Sequence, residues 1–189
     1  VPNVRGGRGS VLTSAAADHW LALLQALDRQ TTSRVRSLAL TPFLGVEPAD
    51  LDAGGDALTD QLAETVRDWL DLFRTRGIAA VHEAAVACGL AERALGGVGG
   101  ERLLTDLDHV AEVLHEVAQA GGFGMPALLE WLTEERRGAP TSTERARRLD
   151  TDAAAVQLVT IHSSKGMQYP IVYLPFAFDR WVPDTPTTH

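Results

Sequence analysis

Apolar residues recur at helical spacing through most of this chain, and glycines break the pattern into pieces. From Ala15 to Leu27 the period puts Trp20, Leu23, Leu24 and Leu27 on one face. Arg34 to Leu40 is a shorter run, closed by Thr41-Pro42. Leu58 to Phe73 carries Leu58, Leu62, Val66, Trp69, Leu70 and Phe73 in register, with Gly77 placed to stop the helix. Ile78 to Cys88 follows, rich in alanine. Glu101 to Ala118 carries Leu103, Leu104, Leu107, Val110, Leu114 and Val117 along one stripe. Pro126 suits the first turn of a helix through Leu132. These stripes read as core, because a helix with one apolar face must bury it against another.

Glycine marks the joints at Gly54-Gly55, at Gly96-Gly97-Val98-Gly99-Gly100 and at Gly121-Gly122. Residues 136–150 are polar, charged and weakly periodic, and read as an exposed linker. After about Val156 the helical period gives way to short β-type runs. The expected fold is therefore mainly α, a helical body with a few short strands. A length of 189 residues is enough for one good-sized core, or for one domain and pieces of another.

No apolar run reaches the roughly 18 residues needed to cross a bilayer. The polar start, Val1 to Ser10, has no signal-peptide core. The one cysteine, Cys88, cannot form an internal disulfide and fits a reducing compartment, so a cytoplasmic protein is expected. The formal charge of −8 argues against a general nucleic-acid surface, but it is unevenly spread. Acids crowd residues 47–72, whereas arginines gather at Arg5/Arg8, Arg34/Arg36, Arg74/Arg76 and Arg136/Arg137/Arg145/Arg147/Arg148. Each arginine cluster is either a solvated helix face or a local phosphate contact.

Several catalytic readings fail. His82-Glu83 and His115-Glu116 begin like helical zinc sites, but the second histidine is replaced by Val86 and Gln119, leaving half-exposed helix residues. One cysteine cannot make a multi-cysteine zinc site. No glycine-rich phosphate loop leads into a lysine, and the Gly96–Gly100 run reads as a flexible joint. The residue two before the lysine is Ser163, which excludes an Asp/Glu-x-Lys nuclease element. No complete catalytic set and no metal site can be assembled.

That lysine, Lys165, is the only one among 17 Lys+Arg. Arginine is a planar fork and lysine a compact point charge, so the two do not substitute freely at a tight site. It lies in Val156-Gln157-Leu158-Val159-Thr160-Ile161-His162-Ser163-Ser164-Lys165-Gly166-Met167-Gln168-Tyr169-Pro170. An apolar run feeds a tip of hydroxyls, imidazole, ammonium and glycine, and a second run, Ile171-Val172-Tyr173-Leu174, follows as strand or short helix. The residues alone leave open whether Lys165 binds a ligand, caps a carbonyl or pairs with a carboxylate.

The pattern Thr160-x-His162-x-x-Lys165-Gly166 with its flanks resembles motif V of UvrD/Rep-type superfamily 1 DNA helicases. The continuation Leu174-Pro175-Phe176 makes it most similar to the RecB branch, the exodeoxyribonuclease V beta-subunit family. Gly99-Gly100-Glu101-Arg102-Leu103-Leu104-Thr105-Asp106-Leu107 is similar to a RecB segment. Gly7 to Leu12, leading into Ala17 to Leu27, resembles the turn and helix after motif IV, and Leu40 to Gly45 lies where the family has a Thr-Pro…Gly turn.

The resemblance implies that residues 1–11 end a segment of the RecA-like α/β motor domain 2A. Residues 12–150 would be the helical 2B insertion, and 151–189 would return to 2A with a tail, Trp181 to His189, that frays. It implies a piece of an ATP-dependent DNA helicase/exonuclease subunit acting in double-strand break repair and recombination. Thr160, His162, Ser163, Ser164 and Lys165 would contact DNA, and Gly166 and Gln168 the nucleotide, the loop coupling the two. The family's usual Gly-Leu-Glu reads Gly166-Met167-Gln168 here, so a ribose contact would be accepted by an amide carbonyl without the glutamate's charge. ATP and Mg2+ would belong to the parent protein, with none bound to this piece, which should be inactive alone. Implied partners are single-stranded and duplex DNA and other subunits of a RecBCD-like complex, with no membrane. The helical body would dock either protein or duplex DNA.

Overall fold

Seven of the helix α1 side chains are buried, which places it at the centre of the bundle. Helix α1 (Ala15–Asp28) buries Ala16, Ala17, Trp20, Leu23, Leu24, Ala26 and Leu27, more than a single stripe. An apolar surface that wide must be covered from several sides. In this computed structural model, which describes residues 3–5, 10–137, 156–158 and 171–174, four other helices cover it. They are α2 (Thr32–Ala39), α3 (Pro48–Arg76), α6 (Gly100–Gly121) and α7 (Met125–Arg137). Helix α4 (Ile78–Ala87) packs on α3 and α6, and the short α5 (Leu90–Leu95) on α6. The protein is mainly helical, as its periodicity demands.

Four rings from four segments meet at Trp20. Its indole N–H donates to the Leu107 carbonyl of α6 at 2.9 Å, so the buried polar atom of a fully buried side chain is satisfied. Phe43 stands edge-on to it at 5.0 Å between centroids, and Trp69 of α3 stands edge-on to Phe43 at 6.4 Å. His82 of α4 lies tilted to Trp20 at 5.8 Å between centroids.

The joints are built by glycine for different reasons. Gly77 ends α3 with φ 80°, as its position suggested, and Gly122 ends α6 with φ 60°. Gly54-Gly55 is a kink inside α3 rather than a break before it. Gly55 takes φ 54° and ψ −140°, and helix continues on both sides. Helical periodicity begins again at Leu58, so it could not show the earlier turn from Pro48. Arg36 of α2 serves the kink, donating to the Leu51 carbonyl and to the Thr59 hydroxyl, each at 3.3 Å. Thr59 in turn donates to the Gly55 carbonyl at 2.9 Å. The Gly96–Gly100 joint, expected to be flexible, is close-packed at its end. Gly100 is buried, and a Cβ there would lie 2.7 Å from the Leu95 Cα.

A short helical turn, Val11–Thr13, leads into α1, capped by the Ser10 hydroxyl, which accepts from the Leu12 N–H at 3.2 Å. Strands β1 (Asn3–Arg5) and β2 (Val156–Leu158) pair in parallel, with Asn3 opposite Val156, Val4 opposite Gln157 and Arg5 opposite Leu158. Residues 3–5 and 156–158 are therefore neighbours, although the whole helical body separates them in sequence. Of the expected linker 136–150, Arg136 and Arg137 belong to α7, and the rest lies outside the described residues.

Candidate functional sites: residues 160–168 and the helical body

All seven residues singled out for ligand contact, Thr160, His162, Ser163, Ser164, Lys165, Gly166 and Gln168, lie outside the described residues, as does the tail from Trp181. Their flanks are described. On one side β2 ends at Leu158. On the other, Ile171, Val172, Tyr173 and Leu174 are 74, 62, 85 and 58% exposed and form neither strand nor helix. The expectation of a second strand or short helix is thus corrected. Four consecutive apolar side chains meet no covering layer among the described residues, and an uncovered run gains nothing from ordering as a strand.

The histidines behave as helix residues. His82 and His115 are half-buried, and His82 Nε2 lies 3.1 Å from the Asp108 carboxylate. No group of three or more possible metal ligands occurs among the described residues. Nor is any described helix long and apolar enough to cross a membrane. Sequence reasoning missed the polar pair inside α6: Asp106 and His109 are buried, and Asp106 accepts Arg102 at 3.1 Å. Their positions beside Leu103, Leu107 and Val110 on the α6 stripe were the available signal. His19 of α1 is half-buried, and this burial pulls its pKa below the usual histidine value against the opposing pull of Asp18.

Among the described residues, the arginines are used within the protein; Arg8, Arg145, Arg147 and Arg148 lie outside them, as does the side chain of Arg5. Arg34 donates to the Gln25 carbonyl at 2.8 Å, and Arg36 holds the α3 kink. Arg74 pairs with Asp71 at 3.2 Å and Arg76 with Glu83 at 3.3 Å. Arg136 pairs with Asp18 and donates to the Leu12 carbonyl, and Arg137 pairs with Glu134 at 2.8 Å. Arg93, which the sequence did not single out, donates to the carbonyls of Pro42 (2.6 Å), Phe43 (2.7 Å) and Cys88 (2.6 Å). Every arginine between residues 10 and 137 has a carboxylate, carbonyl or hydroxyl partner. That span holds ten arginines, no lysine and twenty acids, a formal −10; the rest of the chain holds seven basic and five acidic residues, a formal +2. The acids at 47–72 are all exposed.

No family model matches the chain. Curated relatives do. It is 49% identical over 185 residues to the RecBCD enzyme subunit RecB of Mycolicibacterium smegmatis, covering 97% of this chain and 17% of that protein. It is 48% identical to the RecB subunit of Mycobacterium tuberculosis strain H37Rv, covering 95% of this chain and 16% of the relative. Against RecB of Escherichia coli K12 the identity is 33%, over 93% of this chain and 15% of the relative. The chain thus spans about a sixth of the length of the curated relatives it matches. Identity of 33–49% over 93–97% of its length places this chain in the RecB branch of the UvrD-like helicase family.

Proposed function

We propose that the chain is the 2B-like helical insertion and the motif V loop of an ATP-dependent DNA helicase and nuclease subunit that acts in double-strand break repair and recombination. The observation that carries this is the parallel pairing of residues 3–5 with 156–158. Two neighbouring parallel strands bracket the helical body, as they would if a helical domain were inserted into one sheet. Residues 1–11 and 151–189 then belong to the RecA-like motor domain, and 12–150 to the insertion. In sequence, residues 160–168 come just after the carboxyl end of β2, and α/β sheets hold ligands at that end of their strands.

In this reading Thr160, Ser163 and Ser164 donate to DNA phosphates, and His162 donates there or orients the loop. Lys165 supplies a mobile positive charge. Gly166 permits close backbone approach and Gln168 reaches the nucleotide. ATP and Mg2+ belong to the complete protein, which acts in the cytoplasm within a RecBCD-like complex. Movement of one loop between nucleotide and single-stranded DNA would couple fuel to grip.

The test is Lys165→Ala in the complete protein. Stimulation of ATP hydrolysis by single-stranded DNA should fall about tenfold or more, the loss of one charge-assisted contact. The unstimulated KM for ATP should stay within about twofold. Unchanged DNA stimulation would overturn the assignment. The 189-residue chain alone should hydrolyse no ATP.

For the helical body, the charge distribution favours protein docking over duplex binding. Over residues 10–137 a formal −10, with every arginine there already paired, offers phosphate little counter-charge. Salt-dependent duplex binding by the isolated chain would contradict this.

A further inference from the structure

Within the helical body, residues 10–137, the exposed large apolar side chains are Leu40, Val86, Leu95 and Val98, the last wholly so. Single exposed apolar residues are ordinary on a protein surface, but these four are gathered. Leu40 lies two residues from Pro42, Val86 two from Cys88, and Leu95 and Val98 two and five from Arg93. Arg93 holds those segments together through the carbonyls of Pro42, Phe43 and Cys88. The backbone of Leu95 is in turn packed on Gly100, so the Gly96–Gly100 turn presents Val98 from a fixed base.

The patch is nearly uncharged on a strongly acidic body. Residues 39–46 and 84–100 contain one acid, Glu92, and one base, Arg93, which is engaged with the three carbonyls. The next acids in sequence are Glu47, Glu83 and Glu101. Depletion of charge marks the centre of a protein interface more than apolarity does, and it leaves phosphate nothing to meet.

Its place in the fold indicates what covers it. Trp20 of α1 meets Leu107 of α6, and the ends of the two helices, Leu27 with Asp28 and Ala118 with Gln119, line one hollow, so α1 and α6 run parallel. The start of α6 at Gly100 therefore lies about 10 Å from the level of Leu107, toward the start of α1. Helix α7 runs the opposite way, from Met125 at that hollow to Arg136 beside Leu12 and Asp18. The turn Val11–Thr13 packs on both α6 and α7. The entry to the body, its last helical turn and the Leu95–Val98 corner thus share one end, the end nearest in sequence to β1 and β2. The chain spans about a sixth of its curated relatives, and β1 and β2 are two strands of a sheet whose remainder would lie in the rest of such a protein.

We propose that the patch of Leu40, Val86, Leu95 and Val98 seats the helical body on the RecA-like motor domain of its own polypeptide. The occupant is an apolar surface of that domain outside this chain. A surface tethered through β1 and β2 needs neither charge to steer it nor a large area, because the linkage supplies the effective concentration. The seat holds the body in one orientation on the motor. This deepens the reading of the body as an insertion into the motor sheet and rests on it.

Cys88 lies in the patch and is exposed in this chain, so it reports on the cover. In the complete protein its alkylation by iodoacetamide, followed by mass spectrometry and divided by its rate in urea, should be slow. It should be about tenfold or more slower than that of a cysteine placed on exposed α3 by Ala57→Cys. Val98→Asp should raise the Cys88 rate in the complete protein about fivefold or more. The same substitution should leave the melting temperature of the 189-residue chain unchanged, because Val98 is wholly exposed there. A photo-cross-linking amino acid at position 98 should join to peptides of the motor domain. Equal rates at Cys88 and Ala57→Cys overturn the seat. So do protection that appears only when other subunits are added, and cross-links to another subunit or to a second copy. The Lys165→Ala measurement separates the two levels. Freely reacting Cys88 in a protein whose DNA-stimulated ATP hydrolysis depends on Lys165 sinks the seat alone, whereas absence of that dependence sinks the motor reading and the seat with it.

Discussion

Arg93 occupies the space that a side chain at Gly45 would need. Gly45 closes the turn after α2 at φ 65°, and a Cβ built on it would lie 2.8 Å from the Arg93 Nε, with the Arg93 stem closer still. The same guanidinium holds the turn through Pro42 and Phe43 and ties it to the end of α4 through Cys88. One long side chain thus fixes the turn that delivers Phe43 to Trp20.

Gly45→Ala should therefore destabilise the chain by about 2–3 kcal/mol, from left-handed backbone strain and displacement of Arg93. Arg93→Ala should cost about 2–4 kcal/mol, and Arg93→Lys should recover little, because one ammonium cannot span three carbonyls. In urea unfolding the double variant should cost less than the two single losses combined, since both act on the same contact. Full additivity would show the two residues to be independent.

The kink in α3 depends on Gly55. Nothing stands within 4 Å of a Cβ added there, so the cost of Gly55→Ala is in the backbone alone, about 1–3 kcal/mol. Arg36→Ala should lower stability by about 1–2 kcal/mol by removing the donor at Leu51 and Thr59. A Gly55→Ala variant that melts with the parent chain would mean that α3 can straighten without penalty.

Trp20→Phe retains the ring packing but removes the N–H that meets Leu107. The lost second hydrogen bond to a carbonyl of α6 and the lost volume should together cost about 2–4 kcal/mol in chemical denaturation. An unchanged midpoint would show that the hydrogen bond contributes nothing net.

Acid should weaken the fold through His19. Its folded pKa lies below the ordinary value of 6.5, so the unfolded chain takes up the proton first. The contribution is fully present above pH 6.5 and is lost as pH falls from there through the lowered folded value. His19→Gln should reduce the fall in urea midpoint between pH 7.5 and 5.5. A pH slope identical in the two proteins would assign that fall to other groups.

At the proposed nucleotide contact, Gln168→Glu in the complete protein restores a carboxylate to the ribose side of the loop. The gain of a charge-assisted hydrogen bond should lower the KM for ATP about fivefold, on the order of 1 kcal/mol. A KM that rises or holds would remove Gln168 from the nucleotide site.

The periodic runs at Ala15–Leu27, Leu58–Phe73 and Glu101–Ala118 each correspond to a helix, because burial of a continuous apolar stripe is a local property of spacing. The N-terminal arm of α3 and the whole of α5 escaped, being too short or too polar to show a period. The stop at Gly77 was legible, since its place after a complete stripe asks for a left-handed residue. The candidate loop was legible only as chemistry, from a single lysine among hydroxyls.

By itself the sequence determined which segments are helical, where glycine ends them, and that acid outweighs base. Only the tertiary structure decided what the arginines do. Arg36, Arg93 and Arg136 look alike as letters, yet each serves a carbonyl 15 to 124 residues away. It also decided that Asn3–Arg5 lies beside Val156–Leu158. The physical reason is the same in both cases: local spacing carries the energy of helix burial, whereas a long-range hydrogen bond exists only once packing has brought donor and acceptor together.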